Sequence, residues 1–243
     1  MSKPAQSPPL IKSKERVAQH GEVMTPEPIV NAMLDLVKQE TERIESRFLE
    51  PACGTGNFLI EILRRKLNVV DARYRKSQYE WERAAITAVS ALYGIELLED
   101  NVEECRTRLY AFFEERYRDR FKKKAKTECL DSVHYLLRKN IVWGDALSLR
   151  RVDGSEEPIV FAEWTAVNGS LFKRRDYAFE ELLRNGEADA NAFAPSQPSL
   201  FGEEQLSLRE ALRSDAGEPV FIPRPVREYP LAHFLELSRA YGD

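Results

Sequence analysis

A turn rich in small residues carries the clearest chemical signal in the sequence. The segment FLEPACGTGNFL, residues 48–59, joins a strand end to a helix start and holds Gly54 and Gly56 one residue apart. Glycines let the backbone bend sharply and let a ligand approach closely, and free N–H groups at a helix start favour an anion. The pattern therefore predicts a ligand site at the carboxyl end of a strand. A plain strand–helix turn is the alternative, because two glycines alone are weak evidence.

The elements that position this turn alternate between strands and helices. Strands are predicted at Arg47–Glu50, Tyr93–Glu96, Asn140–Trp143 and Pro158–Trp164, with a fifth expected at Val220–Pro223. Helices are predicted from Thr25, which would cap the first, over Asn57–Lys66, over Tyr79–Leu92, from Glu99 into a basic segment, and over Leu231–Ala240. Such alternation predicts an α/β fold with a parallel sheet.

The composition divides the chain into three parts. Residues 1–20 are rich in Pro, Ser and Lys and are predicted to be a flexible leader. Residues 21–184 form the predicted ligand-binding domain. Residues 185–243 are predicted to be a linker and a small C-terminal segment, because their first half turns to Gly, Ala, Ser, Pro and acidic residues.

Four segments resemble one known family in their order along the chain. The turn of residues 48–59, HGEVMTPEPIV at 20–30, LYGIELLEDNVEECRTRL at 92–109 and IVWGDAL at 141–147 are similar to motifs of S-adenosylmethionine-dependent DNA adenine-N6 methyltransferases. The resemblance is strongest to modification subunits of restriction systems. It implies a Rossmann-like methyltransferase fold and an N-terminal helix that closes over the cofactor, while the composition of residues 185–219 suggests a loose linker or an irregular C-terminal lobe.

The resemblance also implies a role for individual residues. Glu96 would accept hydrogen bonds from both ribose hydroxyls of S-adenosylmethionine, Asp145 would accept one from its adenine amine, and the Thr25-Pro26 turn would close over its methionine end. The implied cofactor-binding residues are Met24, Thr25, Pro26, Pro51, Ala52, Cys53, Gly54, Gly56, Asn57, Phe58, Glu96, Leu97, Asp145 and Ala146. The alternative for each carboxylate is a solvated acid at a strand end.

The catalytic half departs from the family pattern. Family members carry an Asn-Pro-Pro-Tyr type of tetrapeptide after the fourth strand, and this chain has no such sequence. At the expected place, Trp164 could stack on a flipped base and Asn168 could accept a hydrogen bond from its amine. The alternative is that Trp164 belongs to the core and that Asn168-Gly169 is an ordinary turn. The predicted strands are also fewer than the family's seven, so a truncated sheet is expected.

Cysteine and histidine give no sign of a metal site. Three cysteines and three histidines lack metal-binding spacing, and Cys53 is expected to fill space within the turn. There is no apolar run of about 20 residues, so no membrane segment is expected. The N-terminal sequence lacks the features of a secretory signal, and the cytoplasm is the expected compartment.

Charge is unevenly distributed over a chain of net charge −4. Residues 106–126 hold nine Lys or Arg against three Asp or Glu, whereas residues 186–218 hold two against seven. The apolar residues of the basic segment are predicted to pack on the sheet while the basic groups face outward, where they could contact phosphates. KRRD, residues 173–176, is a second candidate for phosphate contact.

These observations predict an S-adenosylmethionine-dependent DNA methyltransferase of the adenine-N6 type, the modification component of a restriction or defence system. DNA is the expected substrate, and a protein subunit that supplies target recognition is the expected partner. The first alternative is a non-catalytic cofactor-binding scaffold that supports a partner with the catalytic motif. A methyltransferase that acts on RNA or protein is a third option.

Overall fold

The computed structural model describes residues 12–20, 22–183 and 223–242. Its α-helices are α1 Lys14–His20, α2 Glu27–Asp35, α3 Lys38–Thr41, α4 Asn57–Arg73, α5 Gln78–Ser90, α6 Glu99–Phe121, α7 Thr127–Asn140, α8 Phe179–Leu183 and α9 Leu237–Tyr241, with a short 3₁₀ helix at Lys122–Lys124. Its strands are β1 Phe48–Glu50, β2 Leu92–Glu96, β3 Ile141–Asp145, β4 Arg150–Arg151, β5 Val160–Ala166, β6 Leu171–Ala178, β7 Arg227–Glu228 and β8 Ala232–His233.

The first sheet carries the glycine turn. Its order is β1-β2-β3-β4, and β1, β2 and β3 are parallel, as predicted. Leu49 lies opposite Tyr93, and Glu96 lies opposite Trp143, so the ends of β1, β2 and β3 share one edge. The two-residue β4 pairs with β3 in the antiparallel direction. The mixed α/β class predicted from the alternating pattern is thus confirmed.

Successive residues of β2 and β3 pack on opposite faces of this sheet, as strand geometry requires. On one face, Leu92 and Ile141 join a large core shared with helices α4 to α7. On the other face, Tyr93 and Val142 join a smaller cluster that includes Phe161 of β5. The strands are therefore buried on both sides, which is typical of parallel sheets.

The predicted fourth parallel strand, Pro158–Trp164, is wrong in its placement. β5 instead pairs with β6 over seven residue pairs in a separate antiparallel sheet, to which β7 and β8 are added along β6. A tight connection explains this outcome. Gly169 has a φ of +66°, and the N–H of Val167 donates to the carbonyl of Leu171 at 2.8 Å. Such a turn joins neighbouring antiparallel strands, so β5 pairs with the segment that follows it.

Three predicted elements near the chain ends also differ. The leader, residues 1–20, contains helix α1 in its described part. The first predicted helix is capped by Pro26 rather than Thr25, without a side-chain hydrogen bond, because α2 begins at Glu27. The expected helix Leu231–Ala240 is split into β8 and α9, since pairing of Ala232 with Phe172 on β6 overrides helical propensity.

Part of the predicted linker lies outside the described residues. Residues 184–222 are not described, and they include Val220, Phe221 and Ile222 of the predicted strand Val220–Pro223. Pro223 is described and is in no strand. None of the helices in the described ranges is long and apolar enough to span a membrane. The same ranges contain no cluster of His, Cys, Asp and Glu side chains that could hold a metal ion.

Candidate functional site

The glycine turn leaves β1 and enters α4 through two residues in the left-handed region. Gly54 has a φ of +52°, and Gly56, the N-cap of α4, has a φ of +87°. The N–H of Cys53 donates to the carbonyl of Ile95 on β2 at 2.9 Å, and the N–H of Gly56 donates to the carbonyl of Cys53 at 2.8 Å. The turn is therefore fixed to the end of the neighbouring strand.

The two glycines meet different surroundings. A Cβ at Gly56 would lie 2.7 Å from the sulfur of Cys105 on α6, which is too close for any side chain. A Cβ at Gly54 would lie 3.6 Å from the sulfur of Met24, an ordinary contact. Gly56 is thus required by the packing of the turn on α6, and Gly54 by its backbone conformation.

The carboxylate of Glu96 lies directly beside the turn. One oxygen accepts from the N–H of Gly54 at 2.8 Å, and the other accepts from the N–H of Leu98 at 3.0 Å and from the side-chain amide of Asn101 at 3.4 Å. A carboxylate has about four acceptor positions. Three of them are used within the chain, which leaves about one for an incoming hydroxyl group.

A short N-terminal segment covers the other side of the turn. The sulfur of Met24 lies 3.7 Å from the hydroxyl of Thr55. The carbonyl of Thr25 accepts from the side-chain amide of Asn57 at 3.0 Å. Pro26 follows as the N-cap of α2. The sequence motifs at residues 20–30 and 48–59 therefore meet in space.

Arg108 on α6 braces the turn and was missed by the sequence prediction. Its Nη1 donates to the carbonyl of Thr55 at 2.6 Å, to the Thr55 hydroxyl at 2.7 Å and to Oδ1 of Asn57 at 3.0 Å. The available signal was helical spacing, because Arg108 follows the buried Cys105 by three residues and so lies on the same side of the helix.

Cys53 is buried within the turn. Hydrogen bonding with Cys105, followed by burial, raises the pKa of the Cys53 thiol far above its usual range. Because the reactive form of cysteine is the thiolate, this thiol is a poor nucleophile. Its packing against Gly94 agrees with the expectation that Cys53 fills space.

Asp145 ends β3 on the same edge as Glu96. Its carboxylate accepts from the N–H of Leu147 at 2.9 Å, and this bond, with Ser148, holds the pKa of Asp145 below its usual value. Asp145 is therefore ionised at neutral pH. Beside it, the indole N–H of Trp143 donates to the carbonyl of Leu97 at 3.0 Å and ties the ends of β2 and β3 together.

The remaining predicted cofactor residues lie on this edge with graded exposure. Pro51, Ala52 and Leu97 are exposed, whereas Phe58 and Ala146 are half-buried. The structure thus brings together the turn, the ends of β2 and β3 and the N-terminal segment, which are the four regions singled out by the sequence.

The two catalytic candidates lie elsewhere. Trp164 is only 5% exposed, and its indole N–H donates to Asn140 at 2.9 Å within the core. Its ring is packed against Tyr135 and Tyr241, so neither face is open to a base. Asn168 is exposed in the turn between β5 and β6. This placement favours the alternative interpretation of both residues, as a core side chain and a turn residue.

Most cations of the basic segment, residues 106–126, have partners within the chain. Apart from Arg108, these pairs join Arg106 to the carbonyl of Ile141, Arg116 and Arg120 to Asp71, Arg118 to Glu114, Lys122 to Asp119, and Lys126 to Glu82. Leu109, Phe113 and Tyr117 are buried as predicted. None of the nine cations is buried, and Arg118 and Lys122–Lys124 are exposed, so the basic groups do face outward as expected, although several of them also join α6 to its neighbours.

KRRD, the second basic candidate, is also absorbed by the fold. Arg174 and Asp176 are both buried and form a salt bridge at 2.7 Å. Lys173 pairs with Glu228, and Arg175 lies 3.6 Å from Glu163. β6 turns Arg174 toward the core, and the acidic partners of Lys173 and Arg175 offset the charges of the two cations that stay partly exposed.

Comparison with known proteins gives one family. A family model described as MmeI, DNA-methyltransferase domain, matches residues 28–155, more than half of the chain. No curated protein and no solved structure matches the chain. The matched range contains the glycine turn, Glu96 and Asp145, and ends before β5.

Proposed function

Because the chain belongs to the MmeI DNA-methyltransferase domain family, we propose that it binds S-adenosylmethionine at the glycine turn and methylates adenine N6 in DNA. We assign it to a restriction or defence system as the modification component. The three parallel strands and their ligand edge support a Rossmann-like methyltransferase fold with a shortened sheet.

One observation carries the proposal, namely the contact between Glu96 and the glycine turn. The carboxylate that ends β2 accepts from the N–H of Gly54, 42 residues earlier in the chain. An acidic residue at this position is suited to bind a ribose hydroxyl, as in other α/β nucleotide sites. Since about one acceptor position of Glu96 is open, we propose one direct hydroxyl contact rather than two.

The other residues of the edge fit the same cofactor. Ionised Asp145 can accept a hydrogen bond from an adenine amine, and Met24 offers an apolar, polarisable surface beside Gly54. S-adenosylmethionine supplies a methyl group already activated on a sulfonium sulfur. The chain needs only to bind and orient donor and acceptor, and no nucleophilic side chain is required.

A thermal shift experiment tests cofactor binding. A ligand at about 100 times its dissociation constant stabilises a folded protein by about 2.7 kcal/mol. For a chain of this size the melting temperature should rise by about 5–11 °C with S-adenosylmethionine or its demethylated product, S-adenosylhomocysteine. Adenosine triphosphate at equal concentration is the control for general nucleotide binding. Equal melting temperatures with and without the cofactor would refute the proposal.

The antiparallel sheet favours a second candidate function, a non-catalytic scaffold that binds the cofactor and supports a catalytic partner. Trp164 is buried, Asn168 lies in a hairpin turn, and β5 does not extend the parallel sheet. An adenine amine is a weak nucleophile, and a positioning error of about 1 Å costs about 100-fold in rate. The isolated chain is therefore expected to transfer methyl groups to DNA poorly or not at all.

A labelled-methyl transfer assay on unmethylated DNA separates the two candidates. The purified chain is tested with and without the proteins encoded beside it, and Asn168→Ala and Trp164→Phe are tested in parallel. Transfer by the isolated chain would favour the enzyme, and its loss in Asn168→Ala would show in addition that Asn168 contributes to it. Transfer that needs a neighbouring protein and survives both substitutions would favour the scaffold.

A further inference from the structure

The segment before α2 is attached to the rest of the molecule by charged groups. We call residues 12–20 and 22–26 the arm. Among the described side chains, none from the arm belongs to either hydrophobic cluster. Instead, Lys12 contacts Glu104 at 2.6 Å and Asp100 at 3.4 Å, and Arg16 contacts Asp100 at 2.6 Å and 3.0 Å. Both acidic residues lie in the first turns of α6.

Asn101 connects these ion pairs to the candidate site. Its side chain is buried, and its carbonyl oxygen accepts from Lys12 at 2.7 Å. Its amide nitrogen donates to Glu22 of the arm at 2.8 Å and lies 3.4 Å from Glu96. Glu22 is paired in turn with Arg16. The arm therefore shares one hydrogen-bonding network with the carboxylate beside the glycine turn.

Arg16 has a specific electrostatic task in this network. The side chain of Glu22 is 8% exposed, and that of Glu96 is also buried. Both carboxylates contact the side-chain amide of Asn101. Buried like charges are costly unless cations offset them. Loss of Arg16 would leave Glu22 buried without its cation and would favour movement of Glu22 toward solvent. Because Met24 and Thr25 follow directly, the cover over the turn would move with it.

We propose that Lys12 and Arg16 form an ionic latch that holds the arm closed over the glycine turn and slows the release of the molecule bound there. The inference rests on the proposed function for the identity of that molecule, S-adenosylmethionine. The closed state itself rests on the contacts of the arm with α6. The latch is made of half-exposed charges, so ionic strength should weaken it.

Hydrogen exchange of the ligand-free protein tests the closed arm without any cofactor. In Arg16→Gln, backbone amides of residues 14–20 and 22–25 are expected to exchange about tenfold faster, while those of α4 keep their wild-type rates. Arg118→Gln is the matched control, because it removes one cation from α6 whose partner, Glu114, is on the same helix. Equal exchange of the arm in the two variants would overturn the latch.

Dissociation of S-adenosylhomocysteine tests the effect on the site. Its release, followed by stopped-flow fluorescence, is expected to be about tenfold faster from Arg16→Gln than from Arg118→Gln. Raising the salt concentration should accelerate release from the wild type more than from Arg16→Gln. In Asp100→Asn, which leaves the pair of Arg16 with Glu22, a smaller acceleration is expected. Release rates that are equal in wild type and Arg16→Gln would refute the latch.

The two measurements keep the two proposals distinguishable. If the protein does not bind S-adenosylhomocysteine but Arg16→Gln still accelerates hydrogen exchange of the arm, the proposed cofactor and the control of its release are refuted. Closure of the arm is then supported. If the wild type binds S-adenosylhomocysteine but Arg16→Gln changes neither hydrogen exchange of the arm nor the release rate, the cofactor is supported and the latch is refuted.

Discussion

The candidate site and the antiparallel sheet use charged residues in opposite ways. At the site, Glu96 and Arg108 hold backbone groups of the glycine turn in place, next to the edge proposed to bind the cofactor. In the antiparallel sheet, Arg174 and Asp176 are buried together, and Arg174 lies 4.1 Å from the centre of the Tyr229 ring. One region arranges polar groups around the proposed cofactor site, and the other uses them as part of a core.

This difference teaches how basic runs should be interpreted. Residues 106–126 and KRRD at 173–176 both hold three basic residues for each acidic one, and both were candidates for phosphate contact. In the fold, Arg108 supports the turn, while Arg174 donates to Tyr135 at 2.6 Å inside the second sheet. The number of cations in a segment therefore says less than the side of the element on which each one lies.

The largest expected effect concerns the buried pair. Arg174→Met leaves the carboxylate of Asp176 buried without its cation, which should destabilise the protein by about 3–5 kcal/mol in urea unfolding. The double variant Arg174→Met with Asp176→Leu removes both charges and should recover most of that loss. If Arg174 bound DNA instead of stabilising the core, Arg174→Met would weaken DNA binding and leave the free energy of unfolding unchanged.

The next effect separates the two glycines of the turn. Gly56→Ala places a Cβ at a φ of +87° and 2.7 Å from the Cys105 sulfur. The strained backbone and the overlap together should cost about 2–4 kcal/mol of unfolding free energy. Gly54→Ala meets only an ordinary contact with Met24 and should cost about 1–2 kcal/mol. Equal losses would mean that α6 does not press on the turn as described.

These contrasts also explain what the sequence could predict. β1, β2 and β3 were placed to within one or two residues, because glycine spacing, strand ends and helix starts are local patterns. The motifs at 20–30 and 48–59 were expected to serve one site, and the contact of Thr25 with Asn57 brings them together.

The missed features depend on contacts between distant segments. The hairpin of β5 and β6 competes with addition to the parallel sheet, and a pattern of alternating residues suits either. The direction of Arg108 depends on how α6 packs, and helix α1 is attached to α6 by charges more than 80 residues away. Neither contact leaves a local motif.

A smaller effect tests Glu96 as the ligand carboxylate. Removing a charged acceptor typically costs about 1.5–3 kcal/mol, or about 10- to 150-fold in affinity. Glu96→Ala should weaken S-adenosylhomocysteine binding by that factor in calorimetry, and Asp145→Ala should weaken it less, because Asp145 lies at the more exposed end of β3. The ligand-free melting temperature controls for damage to the turn, since Glu96 also holds Gly54. Wild-type affinity in Glu96→Ala would mean that the ligand binds elsewhere.

The smallest effect concerns the ion pair of Arg16 with Asp100, which is partly exposed, whereas the pair of Arg174 with Asp176 is buried. Arg16, through its hydrogen bonds, lowers the pKa of Asp100 to about 2, below its ordinary 3.8. A carboxylate whose folded pKa is depressed stabilises the fold above the unfolded pKa, and this contribution is lost as pH falls from about 4 through 2. Asp100 is 54% exposed, so solvent screening limits the contribution to about 0.5 kcal/mol. Urea unfolding should therefore give Asp100→Asn a small, constant deficit from pH 5 to 8 that disappears near pH 2. A deficit above about 2 kcal/mol would show that this pair behaves like the buried one.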